Sequence, residues 1–236
     1  MRKILLGILN FRDRLLPHYE ARFRALAEGQ SPDALLITCS DSRLLPDVLV
    51  SVDPGELFVM RNVGNLVPPS TVDGDSTGDL SEASAIEYSV LMLKVRHLIV
   101  CGHSECGAMK AALARKPMDD TPNLAKWLHH SAPAVFRLQQ EGPLDPRLSP
   151  CDQLSQLNVL VQLEHLASYP IVRERLAAGA LHLSGWWFDI AKGEMRAYQR
   201  ESRSFEAIDR ETAERMLSRL DQKPADSEAQ GPSRAN

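Results

Sequence analysis

Long hydrophobic runs are missing. No apolar stretch in the 236 residues approaches the roughly 18 needed to cross a bilayer, so a membrane span is excluded on the sequence. Cysteine is scarce: four in a chain this long do not make a disulfide scaffold, which points to a reducing compartment and a cytoplasmic location. There is no surplus of basic residues either. A net charge of -4 and a pI near 6.0 argue against nucleic acid as a partner. No segment repeats and no Pro- or Gly-rich linker divides the chain, so one domain over residues 1–221 is expected, with 1–29 as a helical arm. The 44% hydrophobic content is enough for one sizeable core. Residues 222–236 are polar and Pro-containing, the composition of a disordered tail. MRKILLGILNF has the look of a secretory leader, but its apolar stretch is short, RDR follows at once and no small-residue cleavage site appears, so export is not expected.

What is present is a pair of short polar motifs, each closing an aliphatic run. ALLITC (34–39) leads into CSDSR (39–43), and HLIVCG (97–102) leads into HSEC (103–106). Such runs read as buried parallel strands, whose carboxyl ends are where open α/β sheets build their sites. Cys39, His103 and Cys106 then supply two thiolates and an imidazole, a donor set suited to zinc, and three protein ligands leave a tetrahedral ion one position for water. HxxC alone is a weak signal. Its pairing with CxDxR at a second strand end is what gives it weight.

Asp41 lies two residues from both Cys39 and Arg43, so in an extended turn all three can point to one side. Two roles are open to it. It can close the site as a fourth ligand, or Arg43 can hold it off the metal with a bidentate grip, leaving it to hydrogen-bond the metal-bound water.

Along the rest of the chain, residues 3–28 read as a helical arm with Pro17 as a break. PDVLVSV reads as a short helix, GELFVMR as a strand, DGDSTGDLSE as a loop and SEASAIEYSVLMLKV as a helix. A helix opens at Gly107, two more span 123–140 and 154–166, and ALHLSGWWFDI with KGEMRAYQR forms a late hairpin. The expected fold class is α/β: a mostly parallel central sheet with flanking helices, an N-terminal helical arm and a late antiparallel edge strand. Cys101 and Cys151 read as inert thiols, Trp186 and Trp187 as packing residues, and His97, His129, His130, His165 and His182 as solvated or core side chains rather than ligands.

CSDSR, HSEC with Gly107, and the intervening GELFVMRNVGNLVPP resemble the β-class carbonic anhydrases, particularly the plant and cyanobacterial type, over about residues 30–187. The resemblance implies one Zn(II) per chain on Cys39, His103 and Cys106, with Asp41 and Arg43 as a catalytic dyad. It further implies that Gln30 hydrogen-bonds substrate oxygen and that Phe58, Val63 and Tyr88 wall an apolar CO2 slot. The Gly107 N–H assists, part of the slot comes from a second subunit, and the arm crosses to a partner chain.

The implied reaction is reversible hydration of CO2 to bicarbonate and a proton by metal-bound hydroxide, in a homo-oligomer built from dimers. In three-histidine carbonic anhydrases zinc lowers the pKa of bound water from 15.7 to about 7. Two thiolates make a poorer Lewis acid, and the dyad is the compensating device. Leu36 stands where another branch carries a Trp tied to an inhibitory bicarbonate site, so that switch is not expected; Arg61 occurs in both branches. The alternatives are a CS2 or COS hydrolase on the same site, and a non-catalytic zinc protein or bicarbonate sensor with Asp41 closing the metal.

Overall fold

The computed structural model describes residues 1–114 and 118–221; the tail expected over 222–236 lies outside them. Its centre is a six-stranded sheet in the order β2-β1-β3-β4-β5-β6. Strands β1 (Ala34–Cys39), β2 (Leu57–Asn62), β3 (His97–His103) and β4 (His182–Asp189) run parallel, while β5 (Glu194–Gln199) and β6 (Ser204–Ala207) are antiparallel. This is the mostly parallel sheet with late antiparallel edge strands that the alternation of elements predicts. Every residue of β1 is buried, as a strand covered on both faces should be.

The arm is helical throughout: α1 (Arg2–Asn10), a π-helical turn (Phe11–Leu15) and α2 (Leu16–Leu26). Pro17 does not break it, contrary to expectation. The Leu16 N–H bonds to Phe11 O across the widened turn, and Pro17 falls in the first turn of α2, where its missing donor is not needed. The end of the arm is tied to its own domain through Arg22, which donates to Pro54 O at 2.7 Å and to Glu56 Oε1 at 2.8 Å.

Short α3 (Pro46–Leu49) follows β1, and α4 (Leu80–Glu87) continues into a π turn (Tyr88–Met92) before β3. Helix α5 (Gly107–Ala114) leaves β3. The single span foreseen over 123–140 is interrupted by a 3-10 turn at His129–Ser131, giving α6 (Pro122–Leu128) and α7 (Ala132–Glu141). Helix α8 (Pro150–Ser168) is longer than foreseen because Ser149 caps it, accepting from Asp152 N at 3.2 Å, with Pro150 in its first turn. Helix α9 (Pro170–Ala177), β6 and α10 (Arg210–Asp221) had no counterpart in the sequence reading.

Alternate strand residues feed different core regions. Leu35, Ile37, Leu98 and Val100 pack with Val159, Leu166, Tyr169 and Trp187, whereas Ala34, Leu36, Ile99 and Cys101 face the other way with Trp186. Helix α8 lies against β3 and β4 at two glycines: a Cβ on Gly102 would come within 2.7 Å of Val159 Cγ2, and one on Gly185 within 3.0 Å of Val159 Cγ1. A third cluster, with Leu44, Leu66, Met109, Leu157 and Phe188, surrounds Cys39 and Cys106. The ligand cysteines are thus held by the core itself.

Candidate metal centre

Cys39 ends β1 and His103 ends the neighbouring parallel β3, so the sheet brings the two motifs together. Cys106 returns to them because Glu105 adopts a left-handed conformation, φ 57°, which folds the His-Ser-Glu-Cys turn back on itself. That turn is pinned from outside: Glu105 N donates to Asp152 Oδ1 at 2.6 Å, and the Glu105 carboxylate pairs with Lys110. One sulfur from each cysteine and one ring nitrogen of His103 lie within 4.8 Å of one another, all three residues buried.

The protonation pattern suits a cation. His103 Nδ1 lies 2.9 Å from Ser104 O, so it carries the proton and leaves the Nε2 lone pair free. Nε2 is buried and has no hydrogen-bond partner among the described residues, a costly arrangement unless something electrophilic meets it. The neighbouring Cys106 holds the Cys39 thiol well below its usual pKa against the opposing effect of burial, with His103 and the Gly64 N–H, 3.4 Å from Sγ, helping. Cys106 is driven the other way, first by Cys39 and then by burial. Both thiols could ionise together only with a positive charge between them, and the donor set fits Zn(II).

Asp41 points at this centre without joining it. Arg43 Nε donates to Asp41 Oδ1 at 2.9 Å and Nη2 to Oδ2 at 2.7 Å, which holds the carboxyl well below the ordinary carboxylate range. Arg43 Nη2 also reaches Glu105 O at 3.1 Å, joining the two motifs. Arg61, which as a sequence feature discriminated nothing, clamps the loop from below by donating to Cys39 O, Asp41 O and Leu44 O at 3.1, 2.8 and 3.2 Å.

A cavity of about 320 Å3 opens on Cys39 and Asp41, with Val63 and Gly107 in its wall. Ala108, Ala111, Leu124 and Leu128 complete the apolar side; no local pattern marks these four, which arrive through the packing of α5 and α6. Gln30, Phe58 and Tyr88 do not line it within one protomer. Gln30 is exposed, and the rings of Phe58 and Tyr88 pack on each other at 5.8 Å between centroids. Cys101 and Cys151 are buried thiols raised to about 12 and about 11, first of all by burial, in keeping with their reading as inert. Trp187 is packed with its Nε1 donating to Ser155 Oγ at 3.1 Å, and His165 Nδ1 lies 2.7 Å from Val67 O.

Two cysteines and a histidine at the carboxyl ends of adjacent parallel strands, with an arginine-held aspartate beside them, define a metalloenzyme centre on an open α/β sheet. Residues 34–195 match the family model for carbonic anhydrase. A carbonic anhydrase of Synechococcus elongatus is 40% identical over 89% of this chain and 75% of its own length, and one of Pseudomonas aeruginosa is 40% identical over 88% and 92%. The structure of the β-carbonic anhydrase CcaA superposes with a TM-score of 0.80 at 33% identity, over 88% of this chain and 98% of that one. The chain belongs to the β-class carbonic anhydrases.

Proposed function

We propose that this carbonic anhydrase hydrates CO2 reversibly at one Zn(II) per chain held by Cys39, His103 and Cys106, with Asp41 kept off the metal by Arg43. The observation that carries this reading is the bidentate Arg43–Asp41 pair beside an unpartnered His103 Nε2. When bound, the ion supplies the Lewis acidity that makes a hydroxide nucleophile available at neutral pH. Asp41, ionised by its arginine, accepts a hydrogen bond from the attacking oxygen and turns a lone pair toward the CO2 carbon. Its depressed pKa makes it an orienting group and a poor proton acceptor. Val63 and Gly107, with Leu124 and Leu128, offer CO2 an apolar wall, and the Gly107 N–H is the donor for the oxygen that becomes negative.

Gln30, Phe58 and Tyr88 act, in this reading, on a partner's site within a homo-oligomer built from dimers, of the plant and cyanobacterial type. Two features support it. The arm exposes Ile4, Leu5, Leu6, Ile8, Leu9 and Phe11, an apolar surface that a second chain would cover. Relatives from Sordaria macrospora, 32% identical over 83% of this chain with a TM-score of 0.65, are described as tetrameric. We place the enzyme in the cytoplasm, serving carbon utilization, because four cysteines, two of them in the metal site, do not make a disulfide scaffold. No helix among the described residues is long and apolar enough to cross a membrane.

Stopped-flow CO2 hydration with parallel zinc analysis tests the reading. Activity should follow zinc content to one ion per chain and be lost with Cys39→Ala or His103→Ala, and zinc-replete protein without hydration activity would overturn it.

A further inference from the structure

Next to the cavity on the metal centre lies a second, of about 410 Å3, and Ser40, Val63 and Leu124 line both. Its polar wall includes Asn62, Asp79 and Glu82. Glu82 is third in α4, behind the cap Asp79, whose Oδ1 accepts from Ser81 N at 2.7 Å. A glutamate at this place would ordinarily turn back onto the cap N–H. Glu82 does otherwise. It is only 7% exposed, its Oε1 accepts from Asn62 Nδ2 at 3.3 Å, and its Oε2 is buried with no hydrogen-bond partner among the described residues. Asn62 is itself fixed by a reciprocal pair of 2.8 Å bonds with the Leu66 backbone, so it presents its amide to Glu82 in one orientation.

A carboxylate held this way is expensive, and an apolar side chain or a glutamine would fill the space at less cost. Its chemistry is what distinguishes it from them. Burial, with the nearby Asp79 adding to it, raises the pKa of Glu82, while its own backbone N–H and Asn62 oppose the rise. Tyr169 is a further titratable neighbour; its hydroxyl donates to Pro68 O at 2.9 Å, and burial first, with Glu82 adding to it, raises its pKa.

Each turnover of CO2 hydration releases one proton, which must reach bulk solvent. Cys39, Cys106 and His103 are committed as ligands, and both oxygens of Asp41 are taken by Arg43. Glu82 has no cation on it among the described residues, it lines the adjoining cavity, and that cavity is large enough for a chain of water molecules. We propose that Glu82 is the proton-relay residue of the hydration reaction. It accepts the released proton through water in the joined cavities, past the Ser40 hydroxyl on their shared wall, and passes it to buffer at the rim made by the exposed Asp79 and Asn123. One carboxylate oxygen gains the proton after bicarbonate has left, when the water that takes its place is ionised, and loses it to a buffer base, with no change of electron count. The inference rests on the hydration activity proposed above.

The test uses zinc-loaded Glu82→Gln and Glu82→Asp. In weak buffer, kcat of Glu82→Gln should fall about tenfold or more while kcat/KM stays within about twofold, and imidazole buffer should restore kcat. Glu82→Asp should keep most of the wild-type kcat. Oxygen-18 exchange should show the same split: interconversion of CO2 and bicarbonate preserved, proton-dependent release of labelled water slowed. Independently of turnover, infrared spectra should contain a protonated carboxyl band that titrates above 4.5, the ordinary value for glutamate, and that disappears in Glu82→Gln. Equal losses in kcat and kcat/KM, an unchanged kcat, or no such band would overturn the relay while wild-type activity stands. A zinc-loaded wild type without hydration activity would overturn both readings.

Discussion

Asp41 Oδ2 stands 2.7 Å from Arg43 Nη2 and 3.9 Å from His103 Nε2, the nitrogen that faces the two cysteines. The carboxylate is therefore next to the metal centre and committed to the arginine, and in the proposed reaction its part is to orient. Asp41→Asn keeps the shape and removes the charge. Zinc content should be unchanged, and kcat/KM for CO2 hydration should fall about 100-fold or more, the scale of losing one preorganised charge-stabilising contact. Zinc analysis with stopped-flow kinetics checks it; full activity in the zinc-loaded variant would remove Asp41 from the mechanism.

Metal affinity should depend on residues that never touch the ion. Asp152 holds the turn between His103 and Cys106 through the Glu105 N–H. Asp152→Ala frees that turn and should weaken zinc binding by about 10- to 100-fold, as loss of a supporting contact behind metal ligands does. Competition with a chromophoric chelator measures the change. Stripping zinc from the wild type should lower its melting temperature by about 10 °C, because the ion binds the folded site and not the unfolded chain.

How much of this was legible in the sequence depends on where each residue comes from. Cys39, Asp41 and Arg43 share one turn, and His103 and Cys106 share another. Ligand spacing is a local property, and the aliphatic runs before each motif placed both at strand ends. Leu124, Leu128 and Glu82 reach the site by tertiary packing of α6 and α4, which leaves no local pattern. Pro17 misled because a proline normally stops a helix, and the π turn that accommodates it has no sequence signature. Strand β6 has only four residues in a polar stretch, too few for an alternation to register.

Glu82 should also be visible in stability. Burial raises its pKa above the unfolded value of 4.5, so as pH climbs through that value the folded protein holds a proton that the unfolded chain has lost. Its contribution is complete below 4.5 and fades as pH rises through the folded pKa. Glu82→Gln removes this penalty. The variant should melt above the wild type at pH 8, and the difference should close below pH 4.5. A gap that stayed constant with pH would show that the carboxylate is not the cause.

The arm offers a test of assembly that leaves the protomer's core alone. Leu5 and Leu9 are 55% and 50% exposed, so replacing both with Glu costs the isolated fold little. Light scattering should nonetheless report a smaller particle. Activity should fall with it if Gln30, Phe58 and Tyr88 serve a partner's site, and an unchanged mass would place the arm outside the interface.

In the proposed reaction three protein ligands hold the metal and Asp41 is kept away from it. A crystal structure of the zinc-loaded enzyme at pH 8.5, under conditions where hydration is measured, tests it most directly. The account predicts Cys39 and Cys106 sulfurs at about 2.3 Å and His103 Nε2 at about 2.0 Å from zinc, a solvent oxygen as the fourth ligand, and Asp41 still paired with Arg43. An Asp41 oxygen bound at about 2.0–2.2 Å in the active enzyme would contradict it.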